Sequence, residues 1–189
     1  MKKLLIALAL ASSFGTNALE QMCEPDMQRT SPTAGFIDNN NGTVTDRATK
    51  LKWMRCSIGQ TFNAETSNCE GMPDVMYWQD ALKTAKNVRT SEAHKYYHFA
   101  GVSNWRLPNV KELNSIRELA CVNPILNSKI FPNIMAIVAD EGGYAFLWTS
   151  TPLAGEEGIM IMDINSGSLY STLSPTDYQR QILLVADPE

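Results

Sequence analysis

The chain has 189 residues, 44% of them hydrophobic and 19% charged, with a formal net charge of -4 and a pI near 5.2. Its basic residues are scattered, which excludes the concentrated cationic face that duplex nucleic acid demands, so no nucleic-acid partner is expected. A chain of this size can bury an ordinary core without a metal to nucleate it, and no cofactor is expected.

At the start, Lys2 and Lys3 precede an apolar run from Leu4 to Leu10, and small or polar residues follow through Thr16, Asn17 and Ala18, the layout of a secretory signal peptide. Cleavage after Ala18 is expected. This divides the chain into a signal peptide over 1–18, an N-terminal arm over 19–33 and one domain over 34–189, without internal repeat or linker. The apolar run is shorter than the roughly 20 residues that span a bilayer, and nothing later approaches that length, so no transmembrane segment is expected. The expected location is the periplasm, the medium or the cell surface.

The arm carries Pro25 and Pro32, which discourage regular structure. All four cysteines, Cys23, Cys56, Cys69 and Cys121, lie beyond the cleavage point, and an even count in an exported chain points to disulfides. Three pairings are open. Cys56 with Cys69 is favoured, a short loop whose closure is worth about 3 kcal/mol, leaving Cys23 with Cys121 to close a longer one worth about 4 to 5 kcal/mol. A zinc site competes poorly, since no C-x-x-C pair occurs.

Further along, Phe36-Ile37 and Val44 flank Asp38-Asn39-Asn40-Asn41-Gly42, where Asn-Gly between extended segments signals a hairpin because both residues tolerate positive φ. The oxygen-rich stretch from Asp38 to Asp46 invites a calcium reading, but Thr43 stands where an EF-hand loop needs glycine. Asn41-Gly42-Thr43 is also a glycosylation sequon, of meaning only in a host that modifies it. Leu51 to Met54 reads as a strand. Between Pro73 and Thr90, residues Tyr77, Trp78, Ala81, Leu82, Ala85 and Val88 recur at helical spacing, with Asp74 a candidate N-cap. A second helix is expected from Asn109, with Glu112 completing a capping box and Val110, Leu113, Ile116 and Leu119 as its buried stripe.

Strands are expected over 145–150, 158–164 and 181–186, with a turn at 165–168. Two helices early and most strands late suit an α+β domain, its helices packed on an antiparallel sheet.

Trp53, Trp78, Trp105 and Trp148 each offer an indole face that can stack on a sugar. Their apolar surroundings favour core packing, most strongly for Trp53 and Trp78. Trp105, Trp148 and Arg106 are therefore the candidate ligand-binding residues, Arg106 either as a fork for a sulfate or as partner to a carboxylate near the start of the second helix. His94 and His98 have the spacing of a helical metal pair, yet no H-E-x-x-H pattern accompanies them and Lys95 would repel a cation, so a solvated or tyrosine-lined loop is expected. Asp163, Asn165 and Asp140-Glu141 are calcium candidates without the Glu-Pro-Asn or Trp-Asn-Asp signatures of calcium-dependent lectins. No G-x-S-x-G elbow, P-loop or dinucleotide fingerprint occurs, so no catalytic residue is assigned.

The order Phe36, Asn41-Gly42-Thr43-Val44-Thr45-Asp46, Leu51-Lys52-Trp53, Cys56, Gly59-Gln60, Cys69-Glu70-Gly71, Trp78, Asn104-Trp105-Arg106-Leu107-Pro108-Asn109, Phe131-Pro132-Asn133 and Trp148-Thr149-Ser150-Thr151-Pro152 resembles the Lcl C-terminal domain family, named for a bacterial collagen-like adhesin. The resemblance implies a C-type-lectin-like fold, related in shape to formylglycine-generating enzymes, on exported proteins. In that adhesin the domain binds sulfated polysaccharide and forms trimers. It departs near the end, where Ile159-Met160-Ile161-Met162 and Leu184-Val185-Ala186 replace an aromatic and a Val-Arg pair.

The expectation is a non-catalytic binding module for a surface polysaccharide or an envelope protein, with oligomers allowed. The alternatives are a structural accessory of an envelope or pilus assembly, or an enzyme of the formylglycine-generating type.

Overall fold

The computed structural model describes residues 21–134, 145–155, 157–172 and 175–188. The expected signal peptide and the Asp140-Glu141 pair lie outside the described residues.

The described chain runs β1 (Met22–Cys23), β2 (Phe36–Asp38), β3 (Thr43–Asp46), β4 (Lys52–Met54), β5 (Thr61–Asn63), β6 (Asn68–Glu70), α1 (Trp78–Thr90), α2 (Val110–Ser115), β7 (Cys121–Val122), β8 (Phe146–Pro152), β9 (Ile159–Asp163), β10 (Leu169–Thr172) and β11 (Val185–Ala186). Strands in the order β11-β4-β3-β2 form one antiparallel sheet, β10-β9-β8 form another, and β1–β7 and β5–β6 are separate pairs. Helices against antiparallel sheets make this an α+β fold, as expected. Strands β2, β3 and β4 stand where the hairpin and the Leu51 to Met54 strand are expected, while β1, β5 and β6 also precede α1 and are additions to the expected order. These three are strands of two or three residues, too short for period-two alternation to register.

The first hairpin pairs Phe36 with Asp46 and Asp38 with Val44. Its turn places positive φ on Asn40 and Gly42, so the strain is taken by alternate residues and not by the Asn41-Gly42 pair. The oxygens read as calcium ligands serve local turns, Asp38 and Asn41 the first hairpin and Asp46 the turn from β3 to β4. Asp38 accepts from the Asn40 N–H at 2.8 Å, Asn41 from the Thr43 hydroxyl at 2.6 Å, and Asp46 from the Ala48 N–H at 2.8 Å.

Helix α1 starts later than expected, and Asp74 does not cap it. The N-cap is Tyr77, with no side-chain bond. The reason is tertiary: Met76 exchanges backbone hydrogen bonds with Arg180 at 3.0 and 2.9 Å, and the Asp74 N–H reaches the Ile58 carbonyl at 2.8 Å, which holds this approach extended. Ala81, Ala85 and Val88 face inward as expected, whereas Tyr77 and Leu82 stay exposed. Helix α2 carries the expected capping box: the Asn109 side chain accepts from the N–H groups of Lys111 and Glu112, and Glu112 accepts from the Asn109 N–H at 2.7 Å. It ends at Ser115, so Leu113 and Ile116 are buried but Leu119 falls past the helix and is 50% exposed.

Two apolar clusters fill the interior. One gathers Trp53, Leu113, Ile116, Phe131 and Leu147; the other gathers Ala81, Ala85, Val88, Trp105, Trp148 and Ile182 beneath α1. The disulfides are Cys23–Cys121 and Cys56–Cys69, the favoured pairing. Among the described residues no helix is long and apolar enough to cross a membrane.

Candidate functional site

The indole rings of Trp105 and Trp148 are 0% exposed. Their N–H groups donate inward, Trp105 to the Phe99 carbonyl at 3.0 Å and Trp148 to the Met76 carbonyl at 2.7 Å. No ring face is left on which a sugar can stack, so neither serves the candidate ligand-binding role, and the core packing that their apolar surroundings favour is what the fold shows. Both act as core pillars, as Trp53 does, and Trp78 donates from a half-buried position to the Thr149 carbonyl at 2.9 Å.

Arg106 sits beside them in sequence but works elsewhere. Its Nη1 and Nη2 donate to Glu112 at 2.9 and 2.8 Å, its Nε donates to Asp187 at 3.2 Å, and Nη2 also meets Asp187. With Nη1 reaching the Leu107 carbonyl as well, the donors of the guanidinium fork are committed within the chain and the sulfate-gripping role is not served. Hydrogen bonding to Glu112, then to Asp187, holds the guanidinium well above its ordinary range. The same bond from Arg106 holds the Asp187 carboxyl below the usual carboxylate range.

The histidines lie in the turns after α1, not on a helix. His94 Nδ1 accepts from the Tyr96 N–H at 3.3 Å, and His98 stacks on Tyr97 with centroids 3.9 Å apart. This is the expected tyrosine-lined loop. Asp163 accepts from the Asn165 N–H at 2.7 Å and the Ser166 hydroxyl at 2.8 Å, closing the turn at 165–168. Among the described residues no group of three or more His, Cys, Asp or Glu side chains is placed to hold a metal ion.

Among the described residues, one concavity with an apolar, aromatic lining suited to a ligand is a cleft of ≈ 300 Å³ between the first hairpin turn, β5 and the loop after α1, lined by Asn41, Thr61, Phe62, Lys95, Tyr96 and Phe99 among others. Gly42 lets these parts meet. At φ +82, a Cβ there would lie 3.0 Å from Phe99 and 3.2 Å from Phe62, so only glycine brings the turn so close to both rings. Tyr96 locks one wall, its hydroxyl donating to the Gln60 carbonyl at 2.7 Å and accepting from the Gly59 N–H at 3.0 Å.

The floor is held by the Cys56–Cys69 bridge, by Gln60 donating to the Asn133 carbonyl at 3.1 Å, and by Asn133 donating to the Cys69 carbonyl at 2.7 Å. Behind Phe62, buried Arg55 lies 4.7 Å from the ring centroid, its charge paired with Asp38 at 2.9 Å. At the rim, the exposed Lys95 ammonium donates to the Thr61 hydroxyl at 3.2 Å, 5.0 Å from the Tyr96 ring. Aromatic faces, side-chain amides and a rim cation suit a ligand with an apolar face, hydroxyl groups and an anionic substituent.

None of the three residues proposed for ligand contact from the sequence lines this cleft; Phe62 and Phe99 belong to no sequence motif, and Lys95 reads from the sequence only as a charge that repels a cation. The available signals were an aromatic inside a disulfide-closed loop and the run Lys95-Tyr96-Tyr97.

A protein-family model described as Lcl C-terminal domain matches residues 42–185. None of the curated proteins matches the chain.

Proposed function

The chain belongs to the Lcl C-terminal domain family, and from that premise we propose that it is an exported, non-catalytic binding module that holds an acidic surface polysaccharide in the Phe62–Lys95 cleft. The observation that carries this reading is the pairing of ring faces with a rim ammonium in one rigid hollow. A pyranose presents an apolar face to Phe62 and Phe99, its hydroxyls meet Asn41 and Thr61, and a sulfate or carboxylate meets Lys95. The amino-terminal layout of a signal peptide and the disulfides favour an oxidising, extracytoplasmic compartment. A surface protein with an acidic peptide segment is the other occupant such a cleft accommodates.

The test is a glycan array probed with the purified protein, followed by titration of the best acidic glycan at rising salt. Lys95→Ala is expected to weaken binding and flatten its salt dependence with a melting temperature near the parent's, because its side chain is exposed, and Phe62→Ala to weaken binding at every salt concentration. Absence of any glycan ligand, or binding indifferent to both substitutions, overturns the reading.

A further inference from the structure

The two disulfides sit in unlike surroundings. Cys56 and Cys69 are both buried, sealed under the cleft floor. The other bridge is asymmetric: Cys121 is 2% exposed, whereas Cys23 is partly exposed on β1, directly opposite Cys121 in the β1–β7 pair. The exposed side chains of Met22 and Val122 lie opposite each other on the same two strands. Arg29, in the arm that follows β1, donates from Nη1 to the Cys121 Sγ.

From this arrangement we propose that Cys23–Cys121 is a thiol–disulfide exchange site, with Cys23 Sγ the atom attacked by an external dithiol and Cys121 the sulfur that leaves. Exchange rates depend on which sulfur can be reached and on how stable the departing thiolate is. Access selects Cys23. The Arg29 guanidinium selects Cys121 as leaving group, because a neighbouring cation stabilises a thiolate.

In the first step the dithiol's thiolate forms a bond to Cys23 Sγ as the Cys23–Cys121 bond breaks, and the electron pair departs on Cys121 Sγ beside Arg29. The second thiol of the reagent, deprotonated, then attacks the mixed disulfide and releases Cys23 as a thiolate. The reagent ends as a disulfide, and the protein gains two electrons and, on protonation of both sulfurs, two protons.

The structure also shows what exchange releases. The bridge ties a segment that is otherwise fastened by hydrogen bonds: Gln21 donates to the Pro124 and Leu126 carbonyls at 2.8 and 2.7 Å, and the buried Glu118 carboxylate accepts from the N–H groups of Thr30 and Ser31 at 3.0 and 3.1 Å. Glu118 Oε1 also accepts from the Ala120 N–H at 3.2 Å. Reduction therefore converts a covalently tied arm into one fastened by hydrogen bonds.

The test is reduction of the folded protein by dithiothreitol, quenched with iodoacetamide over time and mapped by peptide mass. Cys23 and Cys121 are expected to be alkylated first, several-fold faster than Cys56 and Cys69. Arg29→Ala should slow opening of the Cys23 bridge alone, and Arg29→Lys should restore much of the rate. Glutathione used as a monothiol should leave its adduct on Cys23. Equal opening of both bridges, an adduct on Cys121, or indifference to Arg29→Ala overturns the proposal.

Discussion

Arg106 grips both carboxylate oxygens of Glu112 through two hydrogen bonds of 2.9 and 2.8 Å, and the same carboxylate receives the Asn109 N–H that opens α2. The helix cap and the ion pair are thus one structure. Its remaining face is turned to Asp187 just beyond β11, so the start of α2 is tied to the end of the chain. Arg106→Ala leaves a largely buried carboxylate without its fork and should cost about 2 to 3 kcal/mol. Arg106→Lys should recover less than half, because an ammonium cannot reproduce a bidentate contact. Denaturant midpoints check both, and a lysine variant as stable as the parent would contradict the geometry.

The pH dependence of that network has a definite sign. Asp187 has its folded pKa depressed by Arg106, so it contributes stability above its unfolded value and loses that contribution as pH falls through the folded value. The increment is about 1 kcal/mol or less, since Asp187 is 54% exposed and solvent screens the pair. Asp187→Asn should melt below the parent at neutral pH, with the gap closing as pH falls below the ordinary carboxylate range and through the depressed folded value. A gap that persists unchanged in acid would show that the carboxylate's charge is not the cause. Arg106 is raised, so its own contribution is fully present throughout this range.

Two glycines of positive φ separate backbone strain from lack of space. At Gly59 an added Cβ would fall 2.3 Å from the Asp74 backbone nitrogen, whereas at Gly71 it would meet nothing within 4 Å. Gly71→Ala should cost about 1 kcal/mol, for the left-handed conformation alone. Gly59→Ala should cost more than about 3 kcal/mol, because a backbone crossing must open. Calorimetry on the pair decides it, and equal losses would refute the close crossing.

Trp105→Ala removes a fully buried ring and the hydrogen bond to Phe99, a residue of the cleft wall. A loss of about 3 to 5 kcal/mol is expected, a large share of the stability of an ordinary domain. Circular dichroism should show an unfolded or aggregating variant. A soluble variant with the parent's melting temperature that merely loses ligand would restore Trp105 as a contact residue.

Several features are legible in the sequence because they rest on neighbours along the chain. The Asn109–Glu112 capping box spans three residues, the hairpin of Phe36 and Asp46 is announced by its turn, and Cys56–Cys69 closes a loop with a sequence separation of 13. Asp74 is the instructive failure. It has a capping side chain a few residues ahead of a helical stripe, yet the Met76–Arg180 bridge holds that stretch extended. A partner about a hundred residues away overrode a local preference worth about 1 kcal/mol.

The amino-acid sequence by itself determined the compartment signals, the α+β class, the capped helix, the pairing preference of the cysteines and the burial of Trp53, since each follows from local spacing or from apolar content. Tertiary structure alone decided that Arg106 joins Glu112 to Asp187, that Trp105 and Trp148 turn inward, and that Phe62, Lys95 and Phe99 converge on one hollow. Whether an indole, a lysine or a guanidinium meets solvent depends on which distant segment packs across it, and residue type fixes only what the side chain can do once that packing is set.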